Sequence, residues 1–237
     1  RKESSAASDV YKRQKVHNLN VDDKQARFYG IPISGLSRYK ELFKDFLQNR
    51  TRFPIFDLSD KVLDDFIAQF KLKEYIYIYG YTSSINLFAK YLLRNGRILK
   101  DICPTLKYCI VTSEVCTYED KIKIEEAFGI KVLNEYGASE VGQMAFTDVD
   151  DRWVLSKEDL YFEIVDAEGK NLPYGQEGRI LVTSLFNKAV PFIRYEIGDI
   201  GIIKRHNNDL ILKKITGRTN DFALLPSGKI SPGLTFY

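Results

Sequence analysis

Histidine is nearly missing from this chain: His17 and His206 are its only copies among 237 residues. A Ser–His–Asp or Cys–His mechanism needs one of them, and neither stands in a recognisable setting. Cysteine is almost as scarce. Cys103, Cys109 and Cys116 are odd in number and fit no zinc-knuckle or CxxC spacing, so they read as buried or idle thiols. No apolar run approaches the ~20 residues that span a bilayer. The first residues, RKESSAASDVYKRQ, are polar and lack the apolar segment of a signal peptide. No membrane association is expected, and the expected location is the cytoplasm. An excess of one charge is missing too. The formal net charge is +3, and Arg1, Lys2, Lys12 and Arg13 against Glu3 and Asp9 put +2 of it in the first fourteen residues, which leaves +1 for the rest. A nearly neutral body argues against a nucleic-acid surface held by phosphate contacts.

What is present is an ordinary globular composition, 44% hydrophobic and 28% charged, with length for one large domain or a domain and a half. Tyr39, Leu42, Phe43, Phe46 and Leu47 mark one face of a helix over 37–49. Val62, Leu63, Phe66, Ile67 and Phe70 mark another over 60–70, with Ser59 placed to cap it. Strand and helix then alternate. YIYIY (75–79) predicts a strand, 83–94 a helix, and YCIVT (108–112) a second strand. A helix follows from Thr117 to Phe128 with Gly129 just past its end, then a third strand, IKVLN (130–134). That order predicts an α/β fold with a parallel sheet covered by helices, whose ligands bind beyond the carboxyl ends of the strands. After residue 150 the texture changes to short strand-like runs (DLYFEIVD, RILVTSL, PFIRYEI, DIGIIK, DLILKKI). The turn signals between them include Glu168-Gly169, Tyr174-Gly175 and Asn207-Asn208. A β-rich, barrel-like subdomain is expected there. The expected division is a non-native or disordered tail over 1–14, an α/β part over 15–150, a β-rich part over 151–217, and a hinge with the start of a further domain over 218–237.

Three motifs carry chemistry. In Asn134-Glu135-Tyr136-Gly137-Ala138-Ser139-Glu140, Gly137 permits a tight turn, and Tyr136 offers a flat face to a base. Ser139 offers a hydroxyl to phosphate, and Glu140 a hard oxygen to Mg²⁺. In Arg194-Tyr195-Glu196-Ile197-Gly198-Asp199, the Asp199 carboxylate can accept both hydroxyls of a ribose. In Gly217-Arg218-Thr219-Asn220-Asp221, Arg218 can hold ribose or phosphate, and Asn220 and Asp221 suit a flexible joint. Taken singly, the first is also a strand-to-loop turn, the second a β-turn and the third a polar loop.

Together, and in this order, the motifs resemble the YGxxE, (Y/R)xxGD and GRxxD series of the adenylate-forming superfamily. The stretches SEVCTYEDKIKIEEAFGIKVLNEYGASEVGQMAF and EGRILVTSLFNKAVPFIRYEIGDIG are similar to the phenylacetate–CoA ligase family. FYGIPISGLSRYKELFKDFLQNR and YIYGYTSSINLFAKYL resemble its subgroup linked to capsular polysaccharide biosynthesis. The resemblance implies part of the large N-terminal domain of such an enzyme. It also implies roles: Tyr136 against adenine, Ser139 on the phosphates, Glu140 on Mg²⁺, Asp199 on the ribose hydroxyls, and Arg218 beside the ribose. Asn134 and Gly137 belong to the same nucleotide-binding stretch, and Ser113-Glu114 would border the acyl pocket and adenine. The reaction so implied is activation of a small, aryl carboxylic acid by ATP as acyl-adenylate with release of pyrophosphate, after which coenzyme A would displace AMP. Some members bind zinc through Cys and His between the nucleotide and ribose motifs; 140–200 holds neither, so no zinc is expected.

The family's phosphate loop and its C-terminal lysine do not occur in this sequence, and Asn220 stands where an acidic hinge residue is usual. SSAASDVYKRQ resembles a translated sequencing adapter, and the chain has no initial Met. The expectation is therefore a fragment, inactive by itself. Two other readings stay open. One is a capsule-linked adenylating acyltransferase with an acceptor other than CoA; the other is a non-catalytic nucleotide-binding module. A homodimer is also left open.

Overall fold

A computed structural model describes residues 19–20, 22–30, 36–187, 190–218, 222–224 and 230–232. The expected tail, His17, Asn220, Asp221 and the polar run 226–229 lie outside the described residues. The chain forms two compact units that divide between Glu135 and Tyr136.

The first unit is a parallel sheet under helices, as the alternation of elements predicts. Strands β1 (Gln25–Phe28), β2 (Arg50–Phe53), β3 (Tyr77–Tyr81), β4 (Tyr108–Thr112) and β5 (Lys131–Ala138) stand in the order β2-β1-β3-β4-β5, every pair parallel. They are joined by α1 (Leu36–Leu47), α2 (Asp60–Leu72), α3 (Thr82–Arg94), the short α4 (Leu99–Ile102) and α5 (Tyr118–Phe128). The chain winds outward from β1 to β2, then crosses back past β1 to β3, so the winding reverses between β1 and β3.

One face of this sheet carries the core. Ala26, Phe28, Phe53, Ile78 and Val111 pack against Phe66 and Phe70 of α2, Ile85 and Phe88 of α3, and Ile124 and Phe128 of α5. Phe28 stacks on Phe53 at 5.0 Å and meets Phe66 edge-on at 5.5 Å, geometries that add to simple area burial. In α5, Thr117 Oγ1 accepts from the Asp120 amide at 3.1 Å, and Gly129 ends the helix at φ 65°, as expected. Ser59 stands at the N-cap of α2, but its side chain makes no cap bond.

The opposite face departs from the sequence reading. β1 and β2 were not expected. Their outward positions are Gln25, Arg27, Arg50 and Arg52, too polar to give an apolar alternation. The tyrosine run also splits. Tyr75 precedes the strand and is buried in the core, whereas Tyr77, Tyr79 and Tyr81 alternate with Ile78 and point to the other face, half-buried. Helix α1 is inverted. Its apolar residues Tyr39, Leu42, Phe43, Phe46 and Leu47 are exposed, and Asp45 is the buried one. Asp45 accepts from Arg50 Nε, and from Arg52 Nε and Nη2 at 3.0 Å each, so α1 is held to the sheet by charge rather than by its apolar stripe.

The second unit is an antiparallel ladder. β6 (Gly142–Thr147), β7 (Trp153–Leu155), β8 (Leu160–Val165), β9 (Asn171–Leu172), β10 (Glu177–Ser184), β11 (Tyr195–His206) and β12 (Asp209–Arg218) stand in the order β6-β7-β12-β11-β10-β8-β9. β13 (Phe222–Leu224) pairs with β14 (Ile230–Pro232). Met144, Leu155, Phe162, Val182, Ile203 and Leu212 form the core of this unit. PFIRYEI and DIGIIK, expected as two strands, belong to one: β11 runs through Gly198 and Asp199, while residues 191–194 precede it. Asn207, at φ 53°, turns β11 into β12 as the Asn-Asn signal predicts.

Candidate nucleotide site

In the first unit, Ser113 and Glu114 follow β4, and Asn134 sits near the carboxyl end of β4's partner stretch in β5, opposite Val111. Ser113 adopts φ 69°, a left-handed conformation that non-glycine residues take at a cost. That bend brings Glu114 back to the start of α3. Its carboxylate accepts from the Ser83 amide at 2.6 Å and the Ser83 hydroxyl at 3.0 Å, and its carbonyl accepts from Thr82 Oγ1 at 3.3 Å. Glu114 thus caps a helix from a distant loop, satisfying the Ser83 amide that the helix itself leaves open and complementing its dipole. Replacing Glu114 by Ala is expected to lower stability by about 1 kcal/mol, the usual worth of a cap. A melt of Glu114→Ala coincident with the parent would show that the cap contributes nothing.

In the second unit, the YGxxE stretch is not a loop from its first residue. β5 continues through Tyr136 and Gly137 to Ala138, and residues 139–141 make the turn into β6. Gly137 is demanded by the facing chain: a Cβ there would lie 2.7 Å from the Gly142 carbonyl oxygen. Ser139 and Glu140 are exposed on the turn, and Tyr136 is half-buried at its foot.

Tyr136, Asp199 and Arg218 come together from positions 63 and 19 residues apart in sequence. The Tyr136 hydroxyl donates to Asp199 Oδ2, and Arg218 Nε is ion-paired with Asp199 Oδ1 at 3.0 Å. Asp199 and Arg218 are directly paired across the β11–β12 hairpin. What aims Asp199 is an irregularity in β11. Against β10, Arg179 pairs with Ile200 and Leu181 with Glu196, so Ile197, Gly198 and Asp199 together face Ile180. Gly198 takes φ 84° inside this bulge. Bulges re-aim side chains beside functional sites. The Asp199 side chain is 11% exposed and Arg218's is 56%. Burial pushes the Tyr136 phenol well above its usual range, and the Asp199 charge and hydrogen bond push it further. Tyr136 therefore stays a neutral donor.

Two residues not singled out in the sequence join this unit's site. The Tyr195 hydroxyl is hydrogen-bonded to Glu140, which raises its pKa. Tyr195 lies inside the (Y/R)xxGD motif, so its position was the available signal. Gln143, beside Gly142, is buried with neither side-chain polar atom paired among the described residues; nothing in the sequence marks it. An ionised carboxylate has about four acceptor positions. Tyr136 uses one of those on Asp199 and the Arg218 guanidinium stands against the other oxygen, which leaves places for a ligand's hydroxyls. Asn220 and Asp221, the expected hinge, lie outside the described residues.

Other groups fall away. Burial raises the Cys109 thiol well above its usual range and Cys116 to about 11, so neither carries much thiolate at neutral pH. Among the described residues no three His, Cys, Asp or Glu side chains cluster to hold a metal, and no helix is long and apolar enough to cross a membrane. A recess of about 500 Å³ between Asp166, Leu172, Arg179 and Glu196 involves none of Tyr136, Ser139, Glu140, Asp199 and Arg218. Arg179 there is already paired with Glu196 at 3.2 Å and with the Asp166 and Ala167 carbonyls.

No family model matches the chain. The phenylacetate–coenzyme A ligase of Pseudomonas putida is 31% identical over 134 residues, and that of Thermus thermophilus 28% over 138. The chain is phenylacetate–CoA ligase-like. Each alignment takes in 54% of this chain, which spans about 30% of the length of these ligases. Among solved structures, a 2-hydroxyisobutyryl-CoA ligase in complex with 2-HIB-AMP and CoA superposes with a TM-score of 0.70 at 18% identity. The match covers 95% of this chain and 52% of that one. The amide bond synthetase McbA of Marinactinospora thermotolerans gives 0.66 at 17% identity, covering 98% and 48%. The ligase-like chain thus has a fold that matches part of the N-terminal domain of adenylate-forming enzymes, parallel sheet first and antiparallel strands after it.

Proposed function

We propose that this chain supplies nucleotide-binding residues of an AMP-forming carboxylate–CoA ligase that activates a small aryl carboxylic acid. The observation that carries the reading is the meeting of Tyr136, Asp199 and Arg218, three motif residues of a ligase-like sequence, around one buried carboxylate. In the reaction a carboxylate oxygen attacks the α-phosphorus of ATP and pyrophosphate leaves. The sulfur of CoA then attacks the acyl carbon and AMP leaves.

Each residue has a task its setting suits. The half-buried Tyr136 ring gives adenine a flat wall. Asp199 accepts from the ribose hydroxyls on its remaining lone pairs, and Arg218 fixes that carboxylate from the exposed side. Ser139 presents a hydroxyl to the phosphates. Exposed Glu140 would hold Mg²⁺, an ion that takes one or two carboxylates and completes its shell with phosphate oxygens and water. The ion supplies charge neutralisation at the phosphates. No side-chain nucleophile is required, in keeping with idle thiols and scarce histidine. CoA is preferred to a capsule-linked acceptor because the sequence relatives are ligases to coenzyme A.

The test is carboxylate-dependent ATP–pyrophosphate exchange by the whole protein over a panel of aryl and aliphatic acids. Exchange with aryl acids, reduced at least tenfold in Glu140→Ala, is expected. A folded protein that binds ATP yet exchanges with no acid would replace this reading by a nucleotide-binding module.

A further inference from the structure

Two motifs of the second unit are built alike. Tyr136 stands four positions before Glu140, and Tyr195 four positions before Asp199. Each tyrosine bonds the carboxylate of the other motif. The Tyr136 hydroxyl donates to Asp199, and the Tyr195 hydroxyl is hydrogen-bonded to Glu140. The stretch from the end of β5 into the 139–141 turn is thus tied twice to the start of β11, once in each direction.

The backbone before Tyr195 is held in an unusual shape. Arg194 takes φ 48°, a left-handed conformation that is costly for a residue with a Cβ. Its amide donates to Thr183 Oγ1 at 2.9 Å, and its Nη2 donates to the Gly169 carbonyl at 3.0 Å and to Asn171 Oδ1 at 3.1 Å. Its Nε is ion-paired with Glu163 at 3.3 Å. Conformations that surroundings enforce in this way gather at functional sites. Tyr195 itself pairs with Val182 of β10, and its ring meets Phe192 edge-on at 5.0 Å and packs against the core of this unit. The ring is therefore a fixed post, and its hydroxyl arrives at an exposed turn. A glutamate on such a turn gives up rotamer freedom when it takes a ligand. A phenol that donates to it removes part of that freedom beforehand. It does so without neutralising the carboxylate, whose remaining lone pairs stay open to a cation.

We propose that Tyr195 is a positioning residue for Glu140, and that the crossed ties Tyr136–Asp199 and Tyr195–Glu140 make the ribose-holding and cation-holding carboxylates one preorganised piece. The inference rests on the proposed function for what the two carboxylates hold. Tyr195 acts through Glu140, so its loss is felt where the cation matters and little elsewhere.

Titration calorimetry of the whole protein compares ATP with Mg²⁺ against AMP without it. Tyr195→Phe keeps the ring and removes the hydroxyl. Affinity for ATP with Mg²⁺ is expected to fall about tenfold, the usual cost of losing a group that orients a metal-binding carboxylate, and affinity for AMP less than about twofold. In a Glu140→Ala background, Tyr195→Phe should cost nothing further. Equal losses for the two ligands, or the same loss in both backgrounds, would overturn the inference. A second cycle needs no ligand. In urea unfolding of the 237-residue chain, Tyr195→Phe and Glu140→Ala should be non-additive by about threefold or more in the unfolding equilibrium. Additive effects there would also overturn it. A parent that binds no nucleotide yet shows this non-additivity would remove the ligase reading and leave Tyr195 as the residue that holds Glu140, so the two failures are distinct.

Discussion

Asp199→Ala is expected to weaken AMP binding: the affinity, measured by titration calorimetry, should fall on the order of 10²-fold or more. Hydrogen bonds to a charged group are each worth about 1.5–3 kcal/mol, and the proposed ribose contact uses two. The substitution does further harm, because Tyr136 donates to this carboxylate and Arg218 is ion-paired with it. A phenol hydroxyl inside a half-buried pocket and a guanidinium at a strand end would lose their common acceptor, and the ring offered to adenine would lose its anchor. Two companion variants separate these effects. Tyr136→Phe keeps the ring and removes only the hydroxyl, so it should cost AMP binding far less than Asp199→Ala. Asp199→Asn keeps the shape and an acceptor oxygen but not the charge, and should fall between. If Asp199→Ala binds AMP as the parent does while folded, the carboxylate is a strand-end tie and not part of a nucleotide site.

The largest expected loss of stability comes from Asp45→Ala, about 3–5 kcal/mol, the usual cost of removing one partner from a buried ion pair. Asp45 has a side chain 8% exposed, and Arg50 and Arg52 are 13% and 16% exposed. Without it, two guanidinium groups face each other over a sheet that already carries Arg27. The same residue sets an acid limb. Burial alone would raise the Asp45 pKa, but hydrogen bonds from Arg52 and Arg50 outweigh it and hold the pKa below the ordinary aspartate value. Its folded pKa is depressed, so its contribution is complete above about pH 3.9, the unfolded value, and is lost as pH falls through the folded pKa. Urea midpoints of parent and Asp45→Ala should therefore converge on acidification below pH 4. A constant gap between them down to pH 2 would mean that the pair's charge does not stabilise the fold.

How much of this was legible in sequence follows from where the signals lie. β4 and α5 could be read because their cues are local: an unbroken apolar strand, a Thr cap that the structure shows accepting from Asp120, and a terminal Gly. The three-part motif order pointed to Tyr136, Asp199 and Arg218, and the structure brings those three together. Local pattern failed where partners are distant. β1 and β2 are short strands whose outward faces carry arginines, so neither alternation nor composition marks them. The spacing of α1 announced a helix, but not which side faces the sheet. That depends on Arg50 and Arg52, which follow the helix and draw Asp45 inward against its own apolar stripe. YGxxE looked like a turn because Gly137 usually signals one, whereas here it admits the Gly142 backbone and the strand runs on. Gln143 and the Tyr195–Glu140 contact left no sequence signal beyond neighbourhood.

The β11–β12 hairpin turns at Asn207 and is closed at its other end by Asp199 and Arg218. Those two side chains therefore act as a clasp on the end of the ribbon that would otherwise fray first. A ligand that engages the clasp holds the strand ends shut, and anything that lets them part removes the acceptor the ligand needs. Affinity at this site and local opening of the hairpin are then one equilibrium seen from two sides, so that a substitution far down the ribbon, near His206 or Leu210, can weaken binding without touching the bound molecule.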